Sequence, residues 1–187
     1  KLKVGTPTIL IGEPGVGKSV LALLVAKQED AIIVMIQKNP RGAPLDPDIL
    51  ELLGYPPVNT YQKVIRVLAK QLEYLYNTTV EPYEDNIITT IHQSKQTPTI
   101  IIDGLDETRD EEELIKIVDL IERLSGIAKI LITARAHTIA EKKLEILETE
   151  KIRVKPENPQ QTKDIEKYLQ KTLRETKEKA EAIKAIS

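Results

Sequence analysis

Eight consecutive residues near the start of the chain combine glycine, lysine and serine in a spacing suited to holding phosphate. They read Gly-Glu-Pro-Gly-Val-Gly-Lys-Ser, from Gly12 to Ser19. Glycines let a loop curl until successive backbone N–H groups point inward and form an anion-binding nest. Lys18 would reach the β- and γ-phosphates of a nucleotide, and the Ser19 hydroxyl would ligate Mg²⁺. The run matches the Walker A pattern at every fixed position and predicts a nucleoside triphosphate site.

The segments on either side of this run support that interpretation. An apolar strand pattern leads into it, and a helical pattern follows, so the positive end of a helix dipole would meet the phosphates. A glycine-rich turn that binds nothing is the alternative, and the agreement of motif and context argues against it. The residues expected to bind nucleotide here are Gly12, Glu13, Pro14, Gly15, Val16, Gly17, Lys18, Ser19 and Val20.

A second group of candidates follows an apolar strand that ends in an acid. Residues 99–102 lead into Asp103, and Asp106 and Glu107 come shortly after. This is the Walker B arrangement, which places a carboxylate beside the metal ion. Either of the two later acids could orient or deprotonate the attacking water. For the acids at 110–113 we favour a role at a helix start, where carboxylates stabilise the dipole.

The strand predicted at 129–133 brings Thr133 and Arg135 into consideration. If this strand lies beside the first one, either residue points toward the γ-phosphate, where a cation would stabilise developing charge. An ordinary surface arginine is the alternative for Arg135, and the residues alone do not decide between the two.

Short apolar runs separated by helical patterns predict the order of elements. The runs are nearly continuous rather than alternating, as in strands buried on both faces of a parallel sheet. Strands that alternate with helices imply βαβ crossovers and a three-layer α/β domain. The predicted strands are 8–11, 31–36, 99–102, 129–133 and 152–154, and the predicted helices are 18–27, 61–75, 84–93 and 111–124.

The boundaries of the domain also follow from the pattern. Residues 1–156 are predicted to form the α/β domain, and 157–187 a C-terminal helical segment that starts at Asn158. Thr108 and Glu111 have capping-box spacing for the start of the fourth helix. The proline-rich stretch 39–57 is interpreted as an irregular excursion.

Composition limits the classes of partner. The 27 basic residues nearly balance the 29 acidic ones, so nucleic acid is not expected as a partner. The longest apolar run is far too short to span a bilayer, and the chain is expected to be cytoplasmic, without a membrane partner. There is no cysteine, which excludes a thiol nucleophile and a zinc finger. The sequence lacks the Asn-Lys-x-Asp motif of guanine-specific GTPases, which favours ATP over GTP.

The three motifs together resemble those of the NACHT group of the STAND ATPases. They read Gly-Glu-Pro-Gly-Val-Gly-Lys-Ser, Ile-Ile-Ile-Asp-Gly-Leu-Asp-Glu and Leu-Ile-Thr-Ala-Arg. Gly104 is the most discriminating residue, because most related P-loop ATPases carry a second acid there. The resemblance implies that Asp103 is associated with Mg²⁺, and that Asp106 is the hydrolytic acid with Glu107 second.

The resemblance also carries expectations for the fold and the activity. Thr133 and Arg135 match the family's sensor segment, usually Thr-Ser-Arg, and the sheet order is expected to be 5-1-4-3-2. Such proteins are signalling switches in which ADP holds a closed state and ATP exchange permits self-association. The expected cofactors are ATP or ADP with Mg²⁺, and slow hydrolysis is expected. The rival hypotheses are a binding module without turnover, an ATPase of AAA+ or archaeal type acting as a ring motor, and an engineered scaffold.

Overall fold

The structure, a computed structural model, describes residues 2–36, 59–108 and 110–155. These ranges contain five strands, five α-helices and one short 3₁₀ turn. The strands are β1 (Thr8–Gly12), β2 (Ile32–Met35), β3 (Thr99–Asp103), β4 (Lys129–Arg135) and β5 (Glu150–Arg153). The helices are α1 (Lys18–Glu29), α2 (Thr60–Tyr76), α3 (Glu84–Gln93), α4 (Glu111–Ser125) and α5 (Ile139–Leu144), and the 3₁₀ turn is Leu105–Glu107.

The strands form one parallel sheet in the order β2-β3-β4-β1-β5. This is the expected order 5-1-4-3-2 counted from the other edge, so the predicted α/β P-loop fold is confirmed. Parallel strands carry their carboxyl ends to the same edge of a sheet, where ligands of open α/β folds bind. The segments that follow β1, β3 and β4 therefore meet there, and each of them carries predicted site residues.

Alternate residues of the central strands build two apolar layers of unequal size. Ile9, Ile100 and Ile132 belong to the larger layer, which packs against α2, α3, α4 and α5. Their neighbours Leu10 and Ile101 face the other way and pack with residues of α1. Side chains alternate between the two faces of the sheet along a strand. Because successive residues of these strands are apolar, both faces of the sheet have to be covered by helices. The sheet is thereby held rigidly behind the site.

The two edges of the sheet are finished differently. At β2, the Gln71 side chain from α2 donates to the Ile33 carbonyl at 2.6 Å and accepts from the Ile33 N–H at 3.0 Å. This amide satisfies backbone groups that an edge strand leaves unpaired. At the other edge, every residue of β5 is exposed. The expectation of strands buried on both faces is wrong for β5, because charged Glu150, Lys151 and Arg153 suit an open edge.

The start of α4 differs from the expectation. The predicted capping box at Thr108 is wrong: Asp110 caps α4, and its Oδ1 accepts from the Glu112 and Glu113 N–H groups at 2.7 and 3.1 Å. The role proposed for the acids at 110–113 is confirmed, since they form the cap and the first turn of α4.

Helix α5 was not predicted, although its start carries a recognisable signal. Thr138 is its N-cap and accepts from the Glu141 N–H at 3.3 Å. The Glu141 carboxylate reaches back to the His137 N–H at 2.6 Å, as in a capping box shifted by one residue. The spacing of Thr138 and Glu141 could therefore have located this helix. The predicted excursion at 39–57 and the helical segment 157–187 lie outside the described residues.

Candidate functional site

The loop after β1 requires glycine for two physical reasons. Gly15 and Gly17 have φ of +80° and +89°, a left-handed conformation that costs glycine nothing. At Gly12 the reason is close approach, because a Cβ there would lie 2.5 Å from the Val154 carbonyl oxygen. The start of the loop therefore packs closely against Val154, just after β5, and this contact restricts the path of the backbone toward α1.

The N-terminus of α1 is left open toward the loop. Its N-cap Gly17 provides no side-chain hydrogen bond, and the first turn contains no acid. The first N–H groups of a helix have no partner within the helix, and here no side chain of the first turn competes for them. Such an end suits an anion and would be satisfied by phosphate oxygens.

Lys18, the first residue of α1, lies folded over the same loop. Its Nζ donates to the carbonyl oxygens of Gly12 at 2.8 Å and Glu13 at 2.9 Å. Burial lowers the pKa of this ammonium below its usual value, while the nearby Asp106 carboxylate acts in the opposite direction. A phosphate beside the ammonium would also favour the charged form. The two hydrogen bonds therefore hold the Lys18 ammonium at the loop, where it can bind an anion.

Asp103, the last residue of β3, is the centre of a hydrogen-bonded group. Its Oδ1 accepts from the Ser19 hydroxyl at 3.0 Å and from the Thr133 hydroxyl at 2.6 Å. Thr133 is 1% exposed, and its hydroxyl oxygen also accepts from the Gly104 N–H at 2.9 Å. The structure thus places Thr133 behind Asp103, where it orients that carboxylate.

This group fits a magnesium ion. Ser19 is exposed at the start of α1 and Asp103 is almost buried beside it, so a hydroxyl and a carboxylate face the same point. Hard oxygen ligands of this kind, a few from the protein and the rest from phosphate and water, are what Mg²⁺ prefers. Among the Walker A residues, Val16 is different in character, because it packs in the apolar layer under α1.

The backbone at position 104 requires a residue without a side chain. Its φ is +82°, and a Cβ would lie 2.6 Å from the Ile36 carbonyl oxygen. The Ile36 N–H in turn donates to the Asp103 carbonyl at 2.8 Å, which holds the ends of β2 and β3 together. A second acid directly after Asp103 would not fit this backbone, and the next acids along the chain, Asp106 and Glu107, lie in the 3₁₀ turn.

The substitution Gly104→Ala should therefore destabilise the fold. A non-glycine residue in the left-handed region and the clash with Ile36 together are expected to cost about 1–3 kcal/mol in the free energy of unfolding. Urea denaturation measures this loss. Gly126→Ala is the matched control, because Gly126 has a helical φ of −70° and its Cβ would meet nothing within 4 Å. Equal denaturation midpoints for wild type and Gly104→Ala would refute this explanation.

The remaining candidates meet in one ion cluster. Asp106 Oδ1 accepts from the Arg135 N–H at 2.9 Å, and Oδ2 lies 3.1 Å from Arg135 Nε. Glu107 Oε1 lies 3.3 Å from Nη2 of the same arginine. Arg135 is also the strand partner of Gly12, so it stands beside the first residue of the loop. The structure brings together all three residues that the sequence indicated, but it pairs them with each other.

Solved structures with a similar fold come from several organisms. Drosophila ORC bound to AT-rich DNA and Cdc6 is 13% identical, with a TM-score of 0.47; the match covers 83% of this chain and 51% of that one. The Aeropyrum pernix ORC1 protein in complex with DNA is 16% identical, with a TM-score of 0.46 and coverage of 86% and 42%. C. elegans PCH-2 is 16% identical, with a TM-score of 0.43 and coverage of 81% and 36%. The chain thus spans about half of these proteins or less.

One expectation about partners is corrected by these structures. Two of them are ORC proteins bound to DNA, so the prediction that nucleic acid is excluded as a partner was wrong. A net charge near zero describes the whole chain and does not exclude a class of partner. In the ranges that the structure describes, none of the helices has the length and apolar character needed to cross a bilayer.

The sequence itself identifies the family. A comparison with curated proteins found no match. A family model described as an AAA domain matches residues 3–140, which is well over half of the chain and includes the loop, Asp103 and Arg135. The parallel five-stranded sheet and its strand order agree with that match. The chain belongs to the AAA domain family of P-loop ATPases.

Proposed function

We propose that this domain binds ATP with Mg²⁺ at the loop between β1 and α1 and hydrolyses the γ-phosphate slowly. The observation that carries the proposal is the Ser19 hydroxyl 3.0 Å from the Asp103 carboxylate, directly beside the open N-terminus of α1. Phosphate binding and metal binding would then occur at one place. Catalysis of phosphoryl transfer consists almost entirely of positioning and charge stabilisation, which is what such a site offers.

Each residue of the site has a role in this proposal. The loop amides and Lys18 hold the phosphates, while Ser19 and Asp103 hold Mg²⁺. When bound there, the metal ion would neutralise charge on the phosphate oxygens. Thr133 acts on the nucleotide through Asp103, which it orients. Arg135, beside Gly12, is the cation that contacts the γ-phosphate. The acids of the 3₁₀ turn orient the attacking water and hold the arginine in place.

The base and the biological context are parts of the same proposal. The absence of a guanine-specificity motif supports ATP over GTP. Gly104 supports a nucleotide-dependent switch of the NACHT and STAND kind, because the backbone there has no room for the second acid that motors usually carry. The family match favours the second candidate, an AAA-type motor. Nucleotide-dependent ring assembly with stimulated hydrolysis would separate the motor from the switch.

Turnover is expected to be slow and nucleotide exchange fast. Glu13, Pro14 and Gly15 are exposed, so the described residues shield the phosphates poorly from water. Catalysis by preorganised charges depends on excluding water. We expect turnover below about 1 per second, the lower end for enzymes.

Single-turnover hydrolysis of ATP and stopped-flow release of a fluorescent ADP analogue test this expectation together. Release of ADP should be faster than hydrolysis, because the described residues leave the loop at 13–15 open to solvent. Multiple turnover at tens per second with ADP retained would contradict it. Binding without any phosphate release would instead favour a binding module.

A further inference from the structure

The two acids of the 3₁₀ turn differ in burial within the ion cluster beyond β3 and β4. Asp106 is the buried one, with its side chain 5% exposed, whereas the Glu107 side chain is 24% exposed. Both oxygens of Asp106 are engaged by a single residue, Arg135. A general base must reach the water that it deprotonates, and a buried carboxylate with both oxygens engaged is poorly placed for that.

The contacts of Asp106 determine where Arg135 lies. One oxygen fixes the backbone at the end of β4, and the other fixes the guanidinium through Nε. A carboxylate that contacts an arginine at two points restrains its direction as well as its position. The arginine side chain remains 42% exposed, so part of it is accessible to solvent and to a ligand.

The sheet places this arginine at the phosphates. β4 pairs with β1, and Arg135 lies opposite Gly12, the first residue of the loop. A guanidinium held here would contact the γ-phosphate of ATP, which ADP lacks.

We propose that Asp106 is a positioning residue that holds Arg135 for recognition of the γ-phosphate, and that it is not the acid that activates the attacking water. The inference rests on the proposed ATPase function and departs from the residue resemblance, which favoured Asp106 as the hydrolytic acid. Asp106 then determines how strongly the domain prefers ATP to ADP without touching the nucleotide itself, because it sets the position of Arg135.

The test is the ratio of ATP affinity to ADP affinity, measured by calorimetry with Mg²⁺. Asp106→Asn keeps an acceptor for the Arg135 N–H but presents an amide NH₂ to the guanidinium. It should lower the ratio about tenfold, the value of one charge-assisted hydrogen bond. Arg135→Gln should lower it equally, and the double variant no further, because both changes remove the same interaction.

Two further variants keep the test decisive. Arg135→Lys retains the charge but loses Nε, so it should reproduce Asp106→Asn even if that variant is unstable. Asp85→Asn is the matched control, because Asp85 forms an exposed ion pair with Arg123 at 2.7 Å on α3 and α4. It should leave the ratio unchanged.

The outcomes separate this inference from the proposed function. If wild type prefers ATP and Asp106→Asn keeps that preference but loses hydrolysis, Asp106 is the hydrolytic acid and the inference is wrong. Additive losses in the double variant would also overturn it. If wild type binds neither nucleotide, the proposed function itself fails.

Discussion

The variant Lys18→Ala should bind ATP about 100-fold more weakly than wild type. The ammonium is folded over the loop, on the carbonyls of Gly12 and Glu13, and would make charge-assisted bonds to the β- and γ-phosphates. Each such bond contributes about 1.5–3 kcal/mol, and 1.4 kcal/mol corresponds to a tenfold change in affinity. Titration with a fluorescent ATP analogue gives the dissociation constant.

The fold of this variant should survive, because Lys18 lies at the surface of the loop and outside both apolar layers. Lys27→Ala, an exposed lysine at the other end of α1, is the control and should bind as wild type does. If Lys18→Ala bound ATP with the wild-type dissociation constant, the phosphate would have to bind elsewhere.

The second large effect is expected for Asp103→Asn, which should remove the dependence of ATP binding on Mg²⁺. The substitution keeps the size of the side chain but removes the charge that the hydroxyls of Ser19 and Thr133 surround. Partners of metal ligands already change metal affinity by about 10–100-fold, and the ligand itself should change it at least as much.

Binding of ATP with Mg²⁺ and with EDTA, measured side by side, tests this expectation. Wild type should bind more tightly with Mg²⁺, and Asp103→Asn should bind equally in both conditions. Asp119→Asn, an exposed acid on α4, controls for the loss of one charge. Retention of the full Mg²⁺ effect in Asp103→Asn would place the metal ion on other ligands.

The sequence was sufficient for features that depend on local pattern. The loop at 12–19 joins a strand to a helix and the strands are short apolar runs, so this succession of elements could be predicted before any contact was known. The helix at 84–93 was predicted with the bounds that the structure has. The sheet order came from the family resemblance, because spacing alone does not order strands.

Features that depend on contacts between distant segments could not be predicted from the pattern. Arg135 meets Asp106 and Glu107 across 28 or 29 residues of sequence, and no spacing rule links them. The reason for Gly104 is the carbonyl of Ile36, which belongs to a different strand end. The hydrogen bond from the Thr133 hydroxyl to Asp103 could likewise not be predicted, because it depends on β3 and β4 lying side by side.

The most direct test of the central claim is a calorimetric titration of the wild-type chain with ATP, in the presence and in the absence of Mg²⁺. If the loop, Ser19 and Asp103 form one site, a single ATP should bind per chain, more tightly with Mg²⁺ than without it. GTP should bind more weakly. Absence of binding at millimolar ATP, or equal affinity with and without Mg²⁺, would contradict the account.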